Sequence, residues 1–164
     1  MSRPLPLYSR PAMYIPFISR KALLGPEEQQ QIVAAIQAAE RLTSGEIRVF
    51  IERHCRYVDP LDRATELFAT LKMEQTVARN GVLVYVALKD RQMAVFGDKG
   101  IHERVGQAFW EQQVRTILSH FNKADYAGGI ADVVTGIGDA LHQHFPFDGQ
   151  KDDNELPDDI VFGK

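Results

Sequence analysis

The stretch GVLVYVALKDRQMAVFG, residues 81 to 97, constrains the fold of this chain more than any other. Residues 81 to 88 are continuously apolar and rich in valine, the pattern of a central strand covered on both faces. QMAVFG, residues 92 to 97, follows after only Lys89, Asp90 and Arg91. A connection that short permits only an antiparallel hairpin neighbour, so the fold must grow around a two-stranded ribbon.

Upstream, EIRVFIE at residues 46 to 52 alternates Ile47, Val49 and Ile51 with Glu46, Arg48, Phe50 and Glu52, which predicts a strand with one buried face. A helix separates it from residue 81: Asp59 and Pro60 supply an N-cap and a first-turn proline, and Leu61, Ala64, Leu67, Phe68 and Leu71 form one stripe. Strands joined through a helix run parallel with a right-handed crossover, so the sheet is mixed. Further helices are predicted from Gly25 and Pro26, where Glu27 and Glu28 complement the positive end and Ile32, Ala35, Ile36, Ala39 and Leu42 repeat, from about 101 to 121, and from about 125 to 144. Helices on both faces make a Rossmann-like α/β/α three-layer sandwich around a small mixed β-sheet.

A chain of 164 residues with 45% hydrophobic content suits a single domain with a real core, here residues 17 to 147. Residues 1 to 16 read as an extended arm because Pro4, Pro6, Pro11 and Pro16 restrict the backbone; Tyr8, Tyr14, Ile15 and Phe17 can strap it to the body or to a protein partner. The same prolines interrupt any signal-peptide core, and no 18-residue apolar span occurs, so neither targeting nor membrane insertion is expected. Residues 148 to 164 form an acidic, largely flexible tail holding six acids and two lysines, which leaves the rest of the chain nearly neutral and offers no basic field to nucleic acid. Within the tail, residues 156 to 162, with Leu156, Ile160, Val161 and Phe162, can dock on the body or on another protein. Cys55 is the only cysteine, which excludes an internal disulfide and fits a reducing, cytoplasmic setting.

The topology gathers three loops at one sheet rim: TSGE ending at Glu46, ARNG with Arg79 and Asn80, and GDKG with Asp98 and Lys99. Two carboxylates, an amide carbonyl, the Ser44 hydroxyl and glycine backbone are the oxygen-rich set that hard cations such as Ca²⁺ and Mg²⁺ take. An alternative reading needs no ligand: Glu46 pairs with Arg79 or Lys99, Asn80 simply enters its strand, and Asp98 caps a helix. Asp125 likewise reads first as an N-cap and second as a metal ligand. His102, one step beyond GDKG, is either a helix-surface residue or a contact to a bound phosphate. His142 and His144 diverge by about 200° on a helix and make a poor metal pair. His54 and Cys55 resemble part of a nucleophile site without an evident third group. The glycines at 128, 129, 136 and 138 weaken a helix unless close packing uses them. Glu66, Lys72, Glu74 and the arginines at 41, 48 and 53 read as solvated charges.

Taken in order, TSGEIRVFIE, RNGVLVYVALKDRQMAVFGDKGI, FW, DYAGGIADVV and NELPDDIVFG resemble the TPM domain family, known from a thylakoid lumen protein of photosystem repair, many bacterial proteins and a nematode receptor modulator. The resemblance spans about residues 17 to 163 and is most specific from Arg79 to Gly100. It implies an α/β/α sandwich with a divalent cation site in an acidic depression of the sheet rim, mapping onto Glu46, Asn80 and Asp98. It places this chain with a compact branch that lacks the signal peptide and membrane segment of many relatives. Two functions follow. One is a cation-binding interaction module, related to stress or repair. The other is a metal-dependent phosphatase on the same rim, with Arg79, Lys99 and His102 as catalytic candidates. No phosphatase signature such as a Cys-x5-Arg loop is present.

Overall fold

In a computed structural model, residues 23–147 and 160–163 are described. The elements in order are α1 (Pro26–Glu40), β1 (Glu46–Glu52), α2 (Pro60–Thr70), β2 (Gly81–Ala87), β3 (Gln92–Gly97), α3 (Lys99–Val105), α4 (Gln107–Phe121), α5 (Tyr126–His144) and β4 (Ile160–Phe162). Residues 1–16, including Tyr8 and Tyr14, lie outside the described residues, as do Phe17 and Leu156.

The sheet order is β3-β2-β1-β4, with β3 antiparallel to β2 and both β2 and β4 parallel to β1. The hairpin and the parallel crossover stand where the sequence pattern puts them. The fourth strand comes from the tail: Ile160, Val161 and Phe162 register against Val49, Phe50 and Ile51, and the Gly163 N–H donates to the Ile51 carbonyl at 2.7 Å. Docking of this segment on its own body is therefore what the described residues show.

Two apolar clusters hold the layers together. Ile47, Val49, Ile51, Val82, Val84, Val86, Met93 and Val95 pack beneath α1, α3, α4 and α5; Phe50, Leu83, Tyr85, Ala87 and Ala94 pack against Ala64, Leu67, Phe68 and Leu71 of α2. Each fully buried aliphatic or aromatic side chain contributes about 1.5–3 kcal/mol, so these faces, more than local preference, fix the sheet. Among the described residues, five helices on a four-stranded mixed sheet make one α/β domain.

Two expectations need correction. Strand β1 is buried along its whole length, Glu46, Arg48 and Glu52 included, where the alternation predicted one solvated face. Arg48 is only 1% exposed and so is not a solvated surface charge. The helix expected over 101–121 is two, because Gly106 takes φ 82°, a left-handed conformation that favours glycine, and ends α3 before α4 begins. Apolar spacing ran through the break because Ile101, Trp110 and Ile117 on either side all reach the same cluster.

Candidate functional site

The rim is assembled by backbone pairing that continues past the strands. The Arg79 carbonyl accepts from the Gly100 N–H at 2.8 Å, and the Gly81 carbonyl accepts from the Asp98 N–H at 2.9 Å. On the other side, the Glu46 N–H reaches the Asn80 carbonyl at 3.4 Å. Asn80 is thereby held between the loop that starts β1 and the turn that ends β3. Arg79 adopts φ 53° to present its carbonyl to Gly100. A Cβ at Gly100 would stand 2.2 Å from the Ala78 carbonyl oxygen, so this approach requires glycine there.

Glu46, Asn80 and Asp98 are 3%, 1% and 4% exposed, so three oxygen-bearing side chains are withdrawn from water at one end of the sheet. Their engagements differ. Asp98 accepts from the Lys99 N–H at 2.8 Å as the N-cap of α3, and Arg79 grips it with Nε to Oδ2 at 2.7 Å and Nη2 to Oδ1 at 2.9 Å. That fork raises the Arg79 pKa, chiefly through its hydrogen bonds to Asp98. Asn80 donates from Nδ2 to Ser44 Oγ at 3.3 Å, while its Oδ1 is buried without a hydrogen-bond partner. Glu46 and Asp98 flank Gly81 in one row across three strands, but the space above Gly81 holds the Met73 carbonyl, 3.1 Å from where a Cβ would be, and this separates them on the α2 face.

Strand parity sends Asn80 to the other face, with Val82, in keeping with its bond to Ser44, whose N–H in turn donates to Phe145 at the end of α5. Asp125 caps the opposite end of that helix, where the Gly128 N–H donates to Oδ1 at 3.2 Å and His120 Nδ1 lies 3.1 Å from Oδ2. A helix of that length holds the two ends about 25 Å apart, so Asp125 does not join the rim. His102 accepts a hydrogen bond at Nδ1 from Trp110 Nε1 at 2.9 Å, which leaves Nε2 as its protonated, outward nitrogen. Lys99 is exposed. Among the described residues no three His, Cys, Asp or Glu side chains gather closely enough to hold a metal ion. Any cation at the rim would therefore draw on neutral oxygens as well, and the Asn80 Oδ1 is the one that fits.

The opposite end of the sheet carries a polar network that the sequence reading missed. Glu52 accepts from Arg63 Nε and Nη2 at 3.0 and 3.1 Å and from the Tyr85 hydroxyl at 2.5 Å. Arg63 Nη1 donates to Glu66, which also accepts from the Tyr57 hydroxyl at 2.5 Å. Burial first, then the bond to Glu52, pushes the Tyr85 phenol above its ordinary range. Beside it, Asp90 takes His54 Nδ1 at 2.9 Å and the Cys55 N–H at 2.8 Å, and these bonds lower its pKa. His54 thus has an orienting carboxylate after all, supplied by the hairpin turn; the Cys55 thiol is directed to the Tyr57 carbonyl at 3.6 Å.

A TPM domain model matches residues 18–140, three quarters of the chain. The chain belongs to the TPM domain family. The NMR structure of BA42 protein from the psychrophilic bacterium Bizionia argentinensis superimposes with a TM-score of 0.78 at 40% identity, covering 87% of this chain and 97% of that one. The N-terminal domain of cg2496 protein from Corynebacterium glutamicum superimposes with a TM-score of 0.58 at 16% identity, covering 73% and 74%, a likeness of fold alone. No match is found among curated proteins. No helix among the described residues of this TPM domain is long and apolar enough to cross a membrane.

Proposed function

We propose that the rim of this TPM domain binds a divalent cation, Ca²⁺ or Mg²⁺, and that the protein works as a cation-dependent interaction module. The observation that carries this reading is the Asn80 Oδ1, inside a residue 1% exposed and without a donor, at the same end of the sheet as the buried carboxylates of Glu46 and Asp98. A buried acceptor left unpaired costs about 1–3 kcal/mol, a deficit that a hard cation coordinated by oxygen offsets. Asn80 Oδ1 and Ser44 Oγ would hold the ion, with the Asp98 and Glu46 carboxylates adding negative charge at the same end of the sheet. Bound metal would tie together the loops around Ser44 and Asn80 and so set the surface offered to a protein partner. The phosphatase alternative has less support, because Arg79 is engaged with Asp98 and His102 Nδ1 with Trp110.

Titration of the full chain with CaCl₂ and with MgCl₂, followed residue by residue by NMR, tests the proposal. Shifts are expected to centre on Ser44, Asn80 and Asp98, and Asn80→Ala should weaken binding about tenfold or more, or about 1.4 kcal/mol, while keeping the dispersed spectrum of a folded protein. Shifts centred on His142 and His144, or on the His120–Asp125 corner, would place the ion elsewhere and defeat the assignment.

A further inference from the structure

We infer that residues 160–163 are a strap closing the crevice beside Glu52, and that strap and Glu52–Arg63 pair open together as a local unit. The sheet order sets β2 on one side of β1 and β4 on the other, so the chain order reverses between β1 and β4. In open α/β sheets, ligands lie in the crevice outside the carboxyl ends of the strands at such a point. Here the chain itself fills it. The Gly163 N–H donates to the Ile51 carbonyl at 2.7 Å, and a Cβ on Gly163 would stand 2.8 Å from Glu52 Oε1 and 2.9 Å from the Phe50 ring. Backbone thus rests directly on the carboxylate.

The strap is lightly held. Its three-residue ladder pairs with β1 alone among the described residues, and twelve residues of sequence separate Ile160 from Phe147. Ile160 is buried, whereas Val161 and Phe162 are half-buried against the two apolar clusters. A short edge strand with so few bonds and buried side chains belongs to the part of a fold that opens locally. Beneath it, Glu52 accepts from Arg63 Nε and Nη2 at 3.0 and 3.1 Å, and the Arg63 guanidinium lies 5.7 Å from the centre of the Phe50 ring. Phe50 and Glu52 therefore contact both the strap and Arg63. Lifting the strap admits water to the carboxylate and removes the low-dielectric cover that strengthens its bonds to Arg63. By linkage, any ligand that enters this crevice must favour release of β4.

Native-state hydrogen exchange of the full chain, read by NMR, tests the coupling in wild type, Gly163→Ala and Phe162→Ala. The residue-163 amide reports the strap, the Arg63 Nε–H reports the pair, and the Val133 and Val134 amides of α5 report global unfolding. A methyl at residue 163 meets Glu52 and Phe50, and truncation of Phe162 loosens the strap without adding an atom near Glu52. Each variant is expected to speed exchange at residue 163 and at Arg63 Nε by about tenfold, with the α5 amides unchanged. Acceleration at residue 163 without Arg63 in Phe162→Ala overturns the coupling, since the Gly163→Ala effect would then be only its direct clash with Glu52. Equal acceleration of the α5 amides makes the strap part of the global unit and overturns local opening. No acceleration at residue 163 in either variant does the same.

Discussion

The two ends of the sheet are both polar and both largely buried, yet they are finished differently. At the carboxyl end of the parallel strands, Glu52 has three donors, Arg63 bridges it to Glu66, and Tyr57 closes the chain of contacts. At the amino end, Asp98 is paired but Asn80 keeps an acceptor with nothing to accept. In open α/β sheets ligands ordinarily lie outside the carboxyl ends of the strands. Here the Glu52 network is closed by its own side chains, and among the described residues at that end only the neighbouring Gln92 Oε1 is left without a donor, whereas at the other end the open acceptor lies among the loops that form the rim. Completeness of pairing, rather than the number of charges, separates a polar network that stabilises from one that awaits a ligand.

Breaking the finished end should cost most. Glu52→Ala leaves the wholly buried Tyr85 hydroxyl and the Arg63 fork without their acceptor, and a loss of about 3 kcal/mol is expected by urea unfolding, with calcium affinity unchanged. If Glu52→Ala altered cation binding as strongly as Asn80→Ala, the division between the ends would be wrong. Gly100→Ala attacks the amino end through its backbone. The new methyl would meet the Ala78 and Arg79 carbonyl oxygens at 2.2 and 2.6 Å, so a loss of about 2 kcal/mol and weakened cation binding should appear together.

Tyr85→Phe is the mildest test, with an expected loss of about 1 kcal/mol at neutral pH. It also carries a pH signature. The folded phenol pKa lies above its unfolded value of about 10, so Tyr85 contributes in full below pH ~10, and this contribution is lost as pH rises through the folded pKa. Wild-type stability should therefore decline more steeply than that of Tyr85→Phe above pH ~10, measured by thermal melting across an alkaline series.

The strands were legible because glycine and charged turns punctuate them: Gly81, the Lys89–Arg91 turn and Gly97 bound the hairpin in the sequence as in the fold. From that hairpin the meeting of TSGE, ARNG and GDKG at one rim could be deduced without coordinates. The pairing inside the rim could not. The sequence offers Arg79 as a partner of Glu46, whereas its grip on Asp98 depends on the left-handed turn at Arg79, which no apolar pattern encodes. The burial of Arg48 and Glu52 was hidden for a related reason, since what removes a charged residue from water comes from elements distant in sequence. Arg63, eleven residues beyond Glu52, and Tyr85, 33 beyond it, carried no local mark of their destination.

Helix α5 bears a cost for the fold it completes. Each interior glycine forfeits roughly 1 kcal/mol of intrinsic helicity, and Gly129 and Gly138 are kept because a methyl there would stand 2.7 Å from the His120 Cβ and 2.5 Å from the Ala39 Cβ. Cut from its neighbours, this segment would be a disordered peptide. It acquires its shape by being clasped between α1 and α4, so the three helices stand or fall together.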